Sequence, residues 1–224
     1  MKWFQRIFTW TAVVAASAFV WQSSLSSLDP NDDYGFAMTR TNPDPELIQM
    51  MPAKEIEKVL ADHLDLFPRS KVPSLSRHLL ALARQHRMDP AFILSVIQTE
   101  STFRVKVESY AGAIGLMQLM PATASAMARR NGIPYKNSRS LHDPYTNLSL
   151  GVAYLAYLRD RYRGDSPYYQ MAAYNLGPAR LNELRAQKSF RPVGTQDYYL
   201  KIKKGMTRMR IYGVQAERRE FAGV

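Results

Sequence analysis

Apolar side chains recur every three or four positions along most of the chain beyond residue 52, which is the spacing of one face of an α-helix. The pattern predicts a short helix over residues 53–67 and a longer series after it. The helices of that series are predicted over residues 76–86, from Asp89-Pro90 onward, and over residues 122–130, 147–162, 168–175, 178–187 and 198–212. No run alternates between apolar and polar positions as a half-buried strand does. The predicted fold class is mostly α.

Local signals support some of these boundaries. Asp89 followed by Pro90 is typical of a helix start, because Asp caps free N–H groups and Pro fits the first helical position. Gly177-Pro178 ends one helix and starts the next. The connection over residues 134–144 is long enough to shape a cleft, and it is equally compatible with a surface loop.

The first residues follow a different pattern. A basic head with Lys2 and Arg6 precedes the apolar residues 7–21, which carry no charge. This layout is typical of a secretory signal peptide, and Ala16-Ser17-Ala18 offers a small-residue cleavage site. An uncleaved membrane anchor and a buried N-terminal helix are the alternatives. The expectation is that the protein is exported.

A polar segment rich in Asp, Asn and Pro follows, and residues 23–52 show no sustained apolar period. We therefore predict three parts along the chain. These are a signal peptide or N-terminal anchor over residues 1–22, an acidic linker with a short helix over residues 23–69, and a compact domain over residues 70–224.

The net charge of +11 combines two unlike parts. Residues 29–67 carry nine acidic and three basic side chains, whereas residues 68–224 carry 10 acidic and 25 basic ones. The strongly basic part over residues 68–224 favours a polyanionic partner, which can be nucleic acid, an anionic membrane surface or an acidic cell-wall polymer. The chain has no Cys, and its four His residues show no metal-binding spacing, so we predict neither a metal nor a cofactor.

One acidic residue stands out by its position. Phe92, Ile93, Val96 and Ile97 form an apolar stripe, and the next position on that stripe is Glu100. Burial and the nearby helix C-terminus both disfavour a negative charge, so the pKa of Glu100 should be raised, as a general acid at neutral pH requires. The alternative is a helix that frays before Glu100 and leaves its carboxylate in solvent.

Two further segments suggest a site, and each also has an ordinary structural explanation. Gly112 and Gly115, followed by an apolar run that contains Gln118, indicate a tight backbone that another group approaches closely. Two glycines with this spacing are a weak signal by themselves. Tyr174-Asn175 places an aromatic ring and an amide at a helix end, where a core Tyr and a helix cap would serve equally well.

In combination these segments resemble a known family, the soluble lytic transglycosylase (SLT) domain of bacterial cell walls, family 1 of the lytic transglycosylases. The residues similar to its ESxF, GLMQ and AAYNxG elements are, in order, Glu100-Ser101-Thr102-Phe103, the run from Ser109 to Ala124, and Ala172-Ala173-Tyr174-Asn175-Leu176-Gly177. Two further family elements resemble Asp143-Pro144 with Asn147 and Gly151, and Thr195 with Tyr198 and Lys201-Ile202. The resemblance covers residues 75–212.

The resemblance implies a lysozyme-like single catalytic domain with a substrate cleft, in the periplasm or envelope of a bacterium. It implies non-hydrolytic cleavage of the β-1,4 bond between N-acetylmuramic acid (MurNAc) and N-acetylglucosamine (GlcNAc), giving 1,6-anhydro ends, with Glu100 as acid and then as base. The residues implied to contact or position the substrate are Ser101, Ser109, Met117, Gln118, Tyr174, Asn175 and Tyr198. The implied partner is the peptidoglycan glycan strand and not nucleic acid, with residues 7–21 as a candidate membrane attachment.

Two positions depart from the family pattern, because Gly194 replaces the usual acidic residue and Tyr199 the usual Val. Glu108 has no role in the pattern and is expected on the surface. Three alternatives stay open: a hydrolytic muramidase similar to goose-type lysozyme, a catalytically silent peptidoglycan-binding protein, and a nucleic-acid binder, which export disfavours.

Overall fold

The helical periodicity of the sequence corresponds to helices in the computed structural model, which describes residues 51–187 and 193–221. The α-helices of these residues are α1 (Ala53–His63), α2 (Val72–Gln85), α3 (Pro90–Ser101), α4 (Pro121–Asn131), α5 (Pro144–Arg161), α6 (Pro167–Leu176), α7 (Pro178–Arg185) and α8 (Val193–Phe221). Short 3-10 helices cover Arg69–Lys71 and Ser138–His142, and the described residues form isolated bridges but no strand. The prediction of a mostly α fold is confirmed.

Proline marks the start of most of these helices. It is the first residue of α3, α4, α5, α6 and α7, where its missing N–H and fixed φ are compatible with the helix. The side chain of Asp89 caps α3 by accepting a hydrogen bond from the N–H of Ala91 at 2.8 Å, which confirms the predicted cap. Asp143 caps α5 in the same way through the N–H of Thr146, also at 2.8 Å.

Helix α3 lies in the middle of the core. Every residue from 90 to 97 is buried, so the helix is enclosed on all sides rather than along one stripe. Helices α2 and α8 both pack against it. The helix becomes partly exposed only at residues 98–100, before its last residue is buried again. A polar side chain in this turn of α3 therefore lies at the edge of the core, where it can reach solvent.

Helix α1 shares this core. It packs against α2 and α8, and its Ile56 and Leu60 are fully buried. The ring of His63 lies 5.3 Å from that of Phe103 and 5.1 Å from that of Tyr212, between centroids. The sequence predicts a helix here but assigns it to the linker, whereas its apolar face is continuous with the core of the helices that follow.

Helix α8 is longer than the apolar pattern predicts. The prediction covers residues 198–212, and the helix runs over Val193–Phe221. The additional residues are mostly polar, charged or small, so they add no apolar period by which the sequence marks a helix.

No helix of residues 51–187 and 193–221 combines the length and the apolarity needed to cross a membrane. The predicted signal peptide or anchor over residues 1–22 lies outside the described residues, as does the predicted linker up to residue 50.

Candidate active site

Glu100 lies in the last turn of α3, where the buried helix becomes partly exposed. The helix continues through Ser101 and is closed by Thr102, whose left-handed backbone (φ 51°) lets its N–H donate to the carbonyl of Gln98 at 3.1 Å. The alternative of a helix that frays before Glu100 is therefore wrong. The carboxyl group is held at the edge of an apolar core.

The phenol of Tyr198 on α8 donates a hydrogen bond to Oε1 of Glu100 at 2.5 Å. Burial raises the pKa of Glu100, because it removes water from the carboxylate, and the hydrogen bond from Tyr198 lowers it. Burial has the larger effect, so the pKa of Glu100 is raised from 4.5 to about 7. A carboxyl group with this pKa can give and take a proton near neutral pH.

Tyr174 on α6 lies in the same cluster. Its side chain is buried, and its ring packs against that of Tyr154 on α5 with the centroids 5.3 Å apart. Burial raises the pKa of both Tyr174 and Tyr198, and the negative charge of Glu100 raises both further. Both phenols therefore keep their protons and stay hydrogen-bond donors, whatever the charge on Glu100.

The raised pKa of Glu100 should be visible in the stability of the protein. Between pH 4.5 and about 7 the unfolded chain loses the proton of Glu100 and the folded chain keeps it, so the free energy of unfolding falls as the pH rises. Below that range both states hold the proton, so Glu100 does not lower the free energy of unfolding there. Glu100→Gln removes the titration, so we expect the variant to be more stable than the wild type by about 3 kcal/mol near pH 8, and by much less near pH 4.

Thermal unfolding of both proteins at the two pH values measures this difference. Glu108→Gln, at an exposed position, is the matched control and should unfold like the wild type at both. A Glu100→Gln variant with the same stability relative to the wild type at both pH values would contradict a raised pKa.

The loop before α4 is held by one buried side chain, that of Asn147 on α5. Its amide oxygen accepts a hydrogen bond from the backbone N–H of Met117 at 2.8 Å. Its amide nitrogen donates to the backbone carbonyls of Ile114 and Leu141, both at 2.9 Å. Leu141 belongs to the connection over residues 134–144. One amide therefore joins the loop, α5 and this connection, which is part of the framework of the site.

Two glycines allow the close packing at this junction. A Cβ on Gly115, which has a φ of 79°, would lie 2.3 Å from Nδ2 of Asn147 and 2.4 Å from the carbonyl oxygen of Leu141. A Cβ on Gly151, one turn after Asn147, would lie 2.3 Å from the sulfur of Met117. A side chain at Gly115 would displace the amide of Asn147 and the backbone of Leu141, and a side chain at Gly151 would displace the side chain of Met117. The group that approaches Gly115 closely is thus the amide of Asn147.

Met117 connects this loop to the cluster around Glu100. Its backbone carbonyl accepts a hydrogen bond from the phenol of Tyr174 at 2.7 Å, while its N–H is bound by Asn147. Its side chain is 0% exposed. The family resemblance implies that Met117 lines a sugar subsite, but a fully buried side chain has no surface for a ligand. Met117 instead fixes the position of Tyr174.

Ser109 and Gln118, both predicted to contact a substrate, hold the turn that leads into the loop. The hydroxyl of Ser109 accepts a hydrogen bond from the N–H of Ala113 at 3.0 Å. The amide nitrogen of Gln118 donates to the carbonyl of Gly115 at 3.0 Å. Both residues are partly exposed, so each keeps some surface toward solvent.

Ser101 and Asn175 make no contact with the cluster. The hydroxyl of Ser101 is used within α3, where it donates to a backbone carbonyl one turn earlier at 3.0 Å, and the residue is 1% exposed. Asn175 follows Tyr174 on α6 and is exposed. Of the predicted site residues, the structure brings together Glu100, Tyr174 and Tyr198, and Met117 joins them through its hydrogen bond from Tyr174.

Asn147 and Gly151 belong to one of the segments that resemble the family, but the sequence assigns no role to either residue. The signal was available, because residues four positions apart lie on the same face of a helix. Both residues hold Met117, and through it Tyr174, so they contribute to the site without reaching Glu100.

The site contains one carboxyl group beside the two phenols. Glu108 is exposed, as expected. Burial and the hydrogen bond from Tyr198 are the causes of the shifted pKa of Glu100, and no second acidic side chain of the described residues is among them. Residues 51–187 and 193–221 also bring no three His, Asp or Glu side chains together as a metal-binding group.

Comparisons with known proteins agree with the resemblance. The family model described as Transglycosylase SLT domain matches residues 79–193, just over half of the chain. The membrane-bound lytic murein transglycosylase C of Haemophilus influenzae is 28% identical over 185 residues, which cover 68% of this chain and 50% of the relative. The soluble lytic murein transglycosylase of Escherichia coli is 38% identical over 92 residues, which cover 41% of this chain and 14% of the relative.

Among solved structures, an inactive variant of the lytic transglycosylase Slt from Pseudomonas aeruginosa matches with a TM-score of 0.47 and 28% identity. That match covers 63% of this chain and 24% of the other. The chain thus spans half the length or less of the relatives it matches.

Proposed function

Because the chain belongs to the transglycosylase SLT domain family, we propose that it is a lytic transglycosylase that cleaves peptidoglycan without water. The bond cut is the β-1,4 bond between MurNAc and GlcNAc, and the product carries a 1,6-anhydro ring on MurNAc. The observation that carries the proposal is the partly buried carboxyl group of Glu100, whose pKa is about 7 and beside which the described residues place no second acidic hydrogen-bond partner.

A single carboxyl group favours this reaction over hydrolysis. Hydrolytic glycosidases usually place two carboxyl groups around the bond, one as acid and one as nucleophile or base. No second acidic side chain of the described residues acts on Glu100. A reaction in which the substrate supplies its own nucleophiles needs only one carboxyl group, which acts first as acid and then as base.

In the first step, protonated Glu100 gives its proton to the glycosidic oxygen. The bond between that oxygen and the anomeric carbon of MurNAc breaks, and the GlcNAc side leaves as an alcohol. The carbonyl oxygen of the acetamido group of MurNAc bonds to the anomeric carbon and takes up the positive charge. Glu100 is left as a carboxylate, stabilised by the hydrogen bond from Tyr198.

In the second step, the carboxylate of Glu100 removes the proton of the C6 hydroxyl of the same sugar. The C6 oxygen then bonds to the anomeric carbon and displaces the acetamido oxygen, which closes the anhydro ring. Glu100 is protonated again, and no water is consumed. A pKa of about 7 suits both steps, because the group must be both acid and base within one turnover.

The other residues of the site are proposed to hold the sugar. Tyr174, fixed by Met117, lies beside the acid, and we assign to it one side of the MurNAc position. Asn175 is exposed one residue further along α6 and is available for the acetamido group. Ser109 and Gln118 keep partly exposed surface at the turn before the loop and are proposed to bind the neighbouring sugars.

The charge and the N-terminal segment support an envelope location. Peptidoglycan carries lactyl and stem-peptide carboxylates, so the excess of basic side chains over residues 68–224 can hold the polymer. Residues 7–21 are proposed to direct export, either as a cleaved signal peptide or as an anchor. Fractionation of bacteria that make the full chain tests this: recovery in the cytoplasm would contradict export, and mass analysis of the mature N-terminus separates the two forms.

Digestion of purified sacculi by the full chain tests the reaction itself. We expect soluble muropeptides whose MurNAc ends are lighter by one water than reducing ends, when measured by mass spectrometry. Reducing ends would show a hydrolytic muramidase instead. Binding to sacculi without release of products would show a peptidoglycan-binding protein that does not cut.

A further inference from the structure

Helices α3 and α8 are antiparallel, and they meet at three levels. The three contacts, from one end to the other, are Glu100 with Tyr198, Ser95 with Gly205, and Asp89 with Arg210. From one contact to the next, a similar number of residues passes on each helix, as expected of two helices that pack side by side in one fixed register. With a rise of about 1.5 Å per residue, Arg210 lies roughly 18 Å from Tyr198 along α8.

The contact farthest from the site is an ion pair with a buried acid. The side chain of Asp89 is 0% exposed and that of Arg210 is 49% exposed. Arg210 donates to Oδ2, while Oδ1 accepts the N–H of Ala91 as the cap of α3. A buried carboxylate without partners is strongly unfavourable, so the position of Arg210 relative to the start of α3 is constrained.

The middle contact permits only one register. A Cβ on Gly205 would lie 2.8 Å from Cβ of Ser95, which is 0% exposed. If α8 moved by one residue along α3, Lys204 or Met206 would replace Gly205 opposite Ser95. Neither side chain has room there, because even a single Cβ at this level would meet the side chain of Ser95.

We propose that Asp89, Arg210 and Gly205 are positioning residues that set the register in which α8 presents the phenol of Tyr198 to Glu100. The inference rests on the proposed function, in which Glu100 is the acid and Tyr198 its hydrogen-bond donor. Arg210 is too far from Glu100 to touch the sugar at the scissile bond, so it acts on the reaction only through α8.

Tyr198 is sensitive to register, because an O–H···O hydrogen bond needs its two oxygens within about 3.0 Å and weakens steeply as its angle closes. The titratable groups facing Glu100 are Tyr198 from α8 and Tyr174 from α6, with Tyr154 of α5 beside them. Burial and the hydrogen bond from Tyr198 are the causes of the raised pKa of Glu100, with no charged side chain of the described residues among them. A change in the Tyr198 contact should therefore appear directly in the pH dependence of the reaction.

The test uses the full chain and compares Arg210→Met, Tyr198→Phe and the double variant. The rate of muropeptide release from sacculi at limiting substrate is followed against pH. Tyr198→Phe removes the hydrogen bond that lowers the pKa of Glu100, so the carboxyl group keeps its proton to a higher pH. The alkaline limb of the profile should move up by about 1 unit, with a roughly tenfold lower maximum. Arg210→Met should move the limb in the same direction by about half a unit.

The double variant separates positioning from a general loss of stability. Because Arg210 acts through Tyr198, Arg210→Met should add no further shift in the Tyr198→Phe background. Arg208→Met, at an exposed position of the same helix, is the control and should keep the wild-type profile. An unshifted limb in Arg210→Met, or additive shifts in the double variant, would overturn the positioning role of Arg210. Neither result would remove Tyr198 as the hydrogen-bond donor to Glu100. If Tyr198→Phe leaves the profile unchanged, the assigned pair of Glu100 and Tyr198 fails as well.

Gly205 gives a second, independent readout. Gly205→Ala should lower the rate and move the alkaline limb up, because its Cβ pushes α8 away from α3. Ser95→Gly removes the atom that this Cβ meets, so the combination of both changes should return the limb toward the wild-type pH. Failure of Ser95→Gly to restore it would contradict the role of the close approach.

Discussion

Glu100→Gln is expected to release no detectable anhydro-muropeptides from purified sacculi, a loss of at least ~100-fold in rate. Gln has the size of Glu and can still accept the hydrogen bond from Tyr198, but it has no proton to give to the glycosidic oxygen and cannot act as a base afterwards. Both proposed steps therefore stop. The measurement is quantitative mass spectrometry of the soluble products against time.

The stability of the same variant makes this result specific. Most losses of activity at buried positions come with a loss of stability, whereas Glu100→Gln should unfold at a higher temperature than the wild type near pH 8. Lower activity combined with higher stability is expected of a residue kept for its chemistry. Glu108→Gln, the exposed control, should retain full activity. A Glu100→Gln variant that cuts at the wild-type rate would remove Glu100 from the mechanism.

The pH range of activity follows from the same pKa. In the proposed mechanism cleavage begins with the protonated carboxyl group, so the rate at limiting substrate should fall as the pH rises through about 7. Burial is the main cause of this raised pKa, and salt screens mainly the interactions between exposed charges, so the position of this limb should move little with ionic strength. A limb that moves strongly with salt would indicate surface charges rather than burial as the cause.

Local signals in the sequence predict the helices well, because the apolar periodicity and the capping residues of a helix lie within or next to that helix. Apolar periodicity is enough to predict that α2, α5 and α8 exist, and Asp89-Pro90 marks the start of α3. Starts predicted at residues 122, 147 and 168 are late by one to three residues, because the prolines at 121, 144 and 167 each begin a helix. Applying to these three prolines the rule used for Pro90 would have placed the starts correctly.

The site was less accessible to sequence reasoning. The stripe on α3 predicts a largely buried Glu100 with a raised pKa, and the structure agrees. The partners of Glu100 depend on contacts between residues about a hundred positions apart, such as that with Tyr198, and no local pattern encodes these. The burial of Met117 was missed for the same reason, since Asn147 and Gly151 enclose it from another helix.

Asn147→Ala is expected to have the largest effect on stability of the changes considered, because three buried backbone groups depend on one amide. Without it the N–H of Met117 and the carbonyls of Ile114 and Leu141 lose their partners, and a cavity remains. Unpaired buried groups of this kind cost about 1–3 kcal/mol each, with partial relief from water or movement of the loop. We expect the free energy of unfolding to fall by about 4 kcal/mol. Asn131→Ala, which removes one partly buried hydrogen bond of an exposed residue at the end of α4, is the control and should cost about 1 kcal/mol or less.

Asn147→Asp distinguishes the hydrogen bonds of the amide from its size. The new carboxylate can accept the N–H of Met117, but it places a negative charge against two carbonyl oxygens to which Asn147 donates. Its pKa in the folded protein should be raised, so the folded chain holds a proton that the unfolded chain has lost, and the free energy of unfolding falls as the pH rises above about 4. Urea unfolding of the three proteins near pH 4 and pH 7 should therefore find Asn147→Asp closer to the wild type at the lower pH, where the protonated group can donate one bond. Asn147→Ala should show no comparable change with pH. If both variants instead unfold like the wild type, the amide is not what holds the loop, and Met117 and Tyr174 must be positioned by their packing alone.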